Sequence, residues 1–173
     1  MPRLRRVQFA AATVFALSAA VSSARAQATI GVGAGGAFPI GNSGNAYGTG
    51  YNISAFLGLN IPTLPIGVRF DGQYDRLPYK VGGGNADLGF GTINVVYQSP
   101  ISIVTPYVIG GAGYYHLDTR AVVPTSSLGL NGGVGVKAPL HWGLGLFLEA
   151  RYHYVFSHRP DTQLVPITLG VTF

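Results

Sequence analysis

The chain has 173 residues, no cysteine and a formal net charge of +5, yet only 10% of its residues are charged. A chain of this length holds one domain, or one domain and a removable segment, and the missing cysteines exclude a disulfide framework and thiolate chemistry. Nor does the positive charge point to nucleic acid, because its excess is concentrated at the amino terminus. There Arg3, Arg5 and Arg6 precede an apolar run over residues 7–21, and Ser22 and Ser23 lead to Ala24-Arg25-Ala26. A basic start, an apolar core and a small-x-small site predict a secretory signal peptide over residues 1–26, with Ala24 and Ala26 as the cleavage residues. Its loss takes four of the eleven basic residues and leaves seven against six acids, about +1 for a mature domain over residues 27–173. All 26 glycines lie in that domain, and no stretch in it is long and apolar enough for a helical membrane span.

Eight segments of the mature region alternate with the two-residue period of a strand that has one apolar face. The first, 29–38, sets Ile30, Val32, Ala34 and Phe38 against Thr29, Gly31, Gly33 and Gly35. In 51–61, Tyr51, Ile53, Ala55, Leu57 and Leu59 oppose Asn52, Ser54, Gly58 and Asn60. In 66–76, Ile66, Val68, Phe70 and Tyr74 oppose Arg69, Asp71, Gln73 and Asp75. The fourth, 86–98, is less regular, with Gly89, Gly91, Ile93, Val95 and Tyr97 opposite Leu88, Phe90, Thr92 and Asn94. Tyr107, Ile109 and Tyr115 of 105–117 stand opposite Val108, Gly110, Ala112 and His116. Segment 127–137 opposes Leu128, Leu130, Val134 and Val136 to Gly129, Asn131, Gly133, Gly135 and Lys137. In 144–154, leucines and tyrosines alternate with Gly145, Phe147, Glu149, Arg151 and His153. The last, 164–173, places Ile167, Leu169, Val171 and Phe173 on one face, with Pro166 near its start. No helical period competes after Gln27.

Connections over 62–65, 99–104 and 138–142 are short, whereas 39–50, 77–85, 118–126 and 157–163 are longer and rich in Gly, Asn, Ser or Pro. Short turns alternating with long loops, on an even number of strands, predict an eight-stranded antiparallel up-and-down transmembrane β-barrel, an all-β fold. About ten residues at about 3.3 Å each, tilted by about 40°, span about 25 Å, the height of the apolar band on such barrels. A soluble barrel would carry many exterior charges, which this chain lacks. A narrow lumen needs small residues on some strands to make room for long ones on others. Gly31, Gly33, Gly35, Gly110, Gly133 and Gly135 are assigned to making that room. Aromatics fall into two belts: Trp142, Tyr97, Tyr107 and Phe173 at the short-turn end, and Phe38, Tyr51, Tyr74, Tyr115, Tyr154 and Phe156 at the other.

The run Thr105-Pro106-Tyr107-Val108-Ile109-Gly110-Gly111-Ala112-Gly113-Tyr114, the run Leu148-Glu149-Ala150-Arg151-Tyr152 and the terminal Phe173 resemble the small outer-membrane β-barrel domain proteins of the OmpA/OmpX type. The resemblance covers the whole mature chain. It implies residence among outer-membrane lipids, with both termini in the periplasm and the long loops outside. It also implies that the last strand, through Ile167, Leu169, Val171 and Phe173, is the recognition signal for the outer-membrane assembly machinery, after export by the signal-peptide machinery.

Six ionisable residues face the expected lumen: Arg69, Asp71 and Asp75 on the third segment, with Glu149, Arg151 and His153 on the seventh. Charges in a dry lumen must be paired, so a hydrogen-bonded plug is expected, with Arg151 or Arg69 bonded across to Glu149 or Asp71. A hydrolase made of Glu149, His153 and Ser157 is excluded by spacing. Residues four apart on a strand are about 13 Å apart, whereas a catalytic triad needs contacts of about 3 Å. His116, His141 and His158 are scattered, so no metal site and no cofactor is expected, and the glycines at 82–84 precede no helix that would bind phosphate. These readings predict a non-enzymatic envelope-structural or surface-interaction protein. A narrow pore is the first alternative and a lipid A-modifying barrel enzyme the second; no loop names an extracellular ligand.

Overall fold

The computed structural model describes residues 27–61, 64–99, 103–119, 122–156 and 162–173. The segment with Ala24 and Ala26, and Ser157 and His158, lie outside them. Eight antiparallel strands follow in order: β1 Gln27–Pro39, β2 Gly50–Asn60, β3 Ile66–Pro78, β4 Asn85–Gln98, β5 Thr105–Thr119, β6 Val122–Pro139, β7 Gly145–Val155 and β8 Thr162–Thr172. Each pairs with its sequence neighbours, and β1 pairs with β8 to close the barrel. The seam is completed by Phe173, whose amide donates to the Ile30 carbonyl at 2.8 Å while the Ile30 amide donates back at 3.1 Å. Closure is what a sheet in hydrocarbon requires, since each unpaired edge amide there costs several kcal/mol.

Alternation places the apolar residues outside. Ile53, Ile93, Val134 and Leu169 are each more than half exposed, while Asn52, Asp75 and His153 are fully buried in the lumen. That inverted distribution suits an apolar solvent around a polar interior. The lumen closes by pairing large with small residues. A side chain at Gly31 would strike the Phe56 ring, and one at Gly135 would strike Tyr107.

Four features differ from the sequence expectation. Tyr107 and Tyr115 do not join the aromatic belts but point inward, 3% and 1% exposed. On β5 the inner face is therefore aromatic, and Gly110 lies on the outer face with Val108 and Tyr114, while Gly111 and Gly113 turn inward. The alternation of β5 has the predicted partition but the opposite sense, because both of its faces mix aromatic residues with glycine and either is compatible with lipid. The third long connection is mostly strand, since β6 begins at Val122 and stays paired with β5 up to Thr119, across a register shift between Leu117 and Thr119.

The first long connection contains a short helix, α1 Gly41–Ala46. It is tied down at its middle and its end: the Gln163 amide donates to Ser43 Oγ at 3.0 Å, and the Lys80 amide donates to the Ala46 carbonyl at 3.0 Å. Gly82, Gly83 and Gly84 all have positive φ, so their run serves the tight turn of the second connection.

Candidate functional site

The site is the middle of the lumen. In an eight-stranded ring β3 and β7 stand opposite one another, so their inward side chains meet across the diameter. Arg69 Nη2 donates to Glu149 Oε1 at 2.8 Å, and its Nη1 stands 2.8 Å from Oε2. Arg69 Nε also donates to Asp71 Oδ1 at 2.8 Å. From the other wall, Arg151 Nη2 donates to Asp71 Oδ1 at 3.0 Å, and Arg151 is paired with Glu149 on its own strand. The result is a closed ring of two guanidinium and two carboxylate groups with no net charge. All four side chains are at most 6% exposed.

Neutral groups complete the ring. Tyr107 donates its hydroxyl to Glu149 Oε2 at 2.8 Å, and Asn94 donates from Nδ2 to Asp71 Oδ2 at 2.6 Å. Phe56 lies beneath the Arg69 guanidinium at 4.1 Å and packs edge-on against Phe147. Forked arginine–carboxylate pairs with their remaining lone pairs occupied are the form in which buried charges are tolerated.

Of the six ionisable residues expected here, the structure joins Arg69, Asp71, Glu149 and Arg151 directly. Asp75 and His153 share the inward face but bond elsewhere. Asp75 Oδ1 accepts from Gln73 Nε2 at 2.7 Å, and His153 Nδ1 lies 2.8 Å from the Tyr115 hydroxyl. Towards the long loops the lumen turns apolar: Ala37, Leu77, Leu88, Phe90, Tyr115, Val155 and Leu164 form one buried cluster, with Tyr47 and Leu117 against it. Sequence reasoning missed this cap and the role of Tyr107. The signal for both was the unresolved sense of alternation on segments four and five.

On the outer face near the long-loop rim, His116 Nδ1 lies 2.8 Å from Ser126 Oγ on the paired strand. Both are exposed, and among the described residues no carboxylate forms an ion pair with His116. Among the described residues there is no cluster of three His, Cys, Asp or Glu side chains for a metal ion. Ile167, Leu169 and Phe173 face outward from β8 and its end.

A model of the outer membrane protein β-barrel domain matches residues 7–173. Neisserial surface protein A superposes with a TM-score of 0.68 at 18% identity, covering 86% of this chain and 98% of that one. Ail, the attachment invasion locus protein of Yersinia pestis, gives 0.56 at 17% identity, covering 84% and 97%. The outer membrane enzyme PagL gives 0.55 at 13% identity, covering 84% and 98%. At such identities these likenesses concern the fold. No curated protein sequence matches the chain.

Proposed function

This chain belongs to the outer membrane protein β-barrel domain family and resides in the bacterial outer membrane, and we propose that its role there is non-enzymatic, in envelope structure or in contact with surface partners through its long loops. One observation carries this reading. The ring of Arg69, Asp71, Glu149 and Arg151 fills the diameter of the lumen, and an apolar cluster lies between it and the long-loop mouth. A lumen packed at two levels serves as a wall element better than as a channel. The exposed surface left for recognition is the loop side, where α1 and the glycine turn are held together by the Tyr47–Tyr79 contact. Planar-bilayer recording tests the reading: no steady unitary current is expected, and a reproducible one would replace it with the pore reading.

PagL shows that an enzyme can have this fold, and among the described residues the His116–Ser126 contact is the one arrangement that resembles a hydrolytic pair. A nucleophile needs a base that is itself oriented by a third group. His116 has no such acid among its described contacts. Lipid A of cells overproducing the protein is therefore expected to keep its acyl chains; chain loss abolished by Ser126→Ala would establish the enzyme reading.

The proposal includes the route. Residues 1–26 direct export with cleavage after Ala26, the termini stay in the periplasm, and the outward face of Ile167, Leu169, Val171 and Phe173 is read by the assembly machinery. Deleting Phe173 should lower outer-membrane insertion more than synthesis, measured by fractionation against total protein. Normal insertion would remove that role.

A further inference from the structure

The short-turn mouth of the lumen differs from the interior above it. A cavity of about 480 Å³ opens there, and its wall carries Thr29, Asn60, Gln98, Thr105, Lys137 and Thr172 but no Asp or Glu. Three hydroxyls, two amides and one ammonium therefore converge on the same space. Among the described lumen residues, Arg69 and Arg151 are each engaged by carboxylates, whereas Lys137 forms no ion pair. Its Nζ stands 5.3 Å from the centre of the Tyr107 ring, whose hydroxyl is directed away to Glu149.

The charge balance makes that cation consequential. The ring of four charges above it sums to zero, and Lys137 is the one charged side chain among the described residues that line the mouth. A fixed charge in a cup with low-dielectric walls acts on ions far more strongly than one in open water. The neutral groups are arranged to assist. Gln98 Nε2 donates to Asn60 Oδ1 at 2.8 Å, and Asn60 Nδ2 reaches Thr29 Oγ1 at 3.5 Å. The Thr29 hydroxyl thus receives a hydrogen bond and keeps its own proton to donate.

We propose that the short-turn mouth is a binding site for a small oxyanion of the phosphate or carboxylate class. Lys137 Nζ is its counter-charge, and Thr29, Gln98 and the neighbouring threonines donate hydrogen bonds. Charge-assisted hydrogen bonds of this kind are stronger than neutral ones, so Lys137 carries most of the binding. The site is independent of whether the barrel has an enzymatic or structural role, since the plug lies between it and the long loops.

The test uses the full barrel, isolated from outer membranes and placed in zwitterionic nanodiscs, titrated calorimetrically with inorganic phosphate and separately with acetate. Saturable binding is expected, weakened about tenfold or more in Lys137→Met and retained in Lys137→Arg. Emission from Trp142, the only tryptophan of the chain, gives a second reading beside the rim residue Gly143. Competition by phosphatidylglycerol added to the discs identifies a lipid headgroup as the source of the anion; its absence identifies a soluble one. Binding unchanged in Lys137→Met, or no saturable binding in the wild type, overturns the proposal. Should Lys137→Met fail to fold, Thr29→Val with Gln98→Leu replaces it: weaker binding supports the site, and unchanged binding overturns it.

Discussion

The lumen has two halves built on opposite principles. Midway along the barrel, four charges are bonded into a neutral ring; towards the long loops the same inward positions hold Leu77, Leu88, Phe90, Tyr115 and Leu164, an apolar cluster with the buried Asp75 beside Leu88. Both halves fill the same narrow bore. They differ in how they fail. An apolar cap loses stability in proportion to the atoms removed. A charge ring loses little when all its members are replaced together but much when one is removed, because the partner left behind stays charged and dry.

That difference gives the largest expected effect. Arg151→Ala leaves Asp71 and Glu149 each without one of two guanidinium partners, and should destabilise the barrel by about 3–5 kcal/mol in reversible detergent unfolding. Removing Asp71 as well, in Asp71→Ala with Arg151→Ala, should cost clearly less than the two single losses added together. Strict additivity would mean that the ring does not act as a unit, and the contrast with the cap would dissolve.

Leu88→Ala belongs to the other half and should cost less, about 2 kcal/mol, at the low end for a buried leucine because the cap sits near an open rim. The same variant separates the halves in bilayer recordings. With the ring intact, trimming the cap should produce no steady current. A current from Leu88→Ala alone would show that the cap, and not the ring, closes the lumen.

These two halves were unequally legible in the sequence. Arg69, Asp71, Glu149 and Arg151 stood out because charges recurring every second residue on otherwise apolar segments have only one dry place to go, the inside of a closed sheet. The cap did not stand out, because Phe90, Tyr115 and Leu164 look like lipid-facing residues. Period-two alternation fixes which residues share a face but not which face is inside, and on β5 each face carries both tyrosine and glycine: Tyr107, Gly111, Gly113 and Tyr115 inside, Gly110 and Tyr114 outside. Only pairing with a neighbour whose sense is known resolves it: Tyr115 aligns with Phe90, as Tyr107 does with Gln98. The eight strands and their order were accessible from alternation and turn spacing. The helix α1 was not, since six residues of Gly, Asn, Ser and Ala carry no apolar stripe, and its place depends on tertiary bonds from Ser43 and Ala46.

The smallest effect lies where the halves meet. Tyr115 belongs to the cap, with its ring 4.8 Å from that of Phe90, and its hydroxyl reaches His153 Nδ1 on β7, the strand that also carries Glu149 and Arg151. Tyr115→Phe keeps the ring and removes only that bond, so about 1 kcal/mol should be lost, the usual net worth of one buried hydrogen bond. His153→Phe removes the same bond from the other side while keeping an aromatic ring beside Phe90, which lies 4.7 Å from the imidazole. If the bond is what joins the two halves, the double variant should cost no more than the costlier single one, since the second substitution finds nothing left to break. A cost equal to the sum of the two would show that Tyr115 and His153 serve their own halves separately, and that ring and cap are independent packings in one barrel.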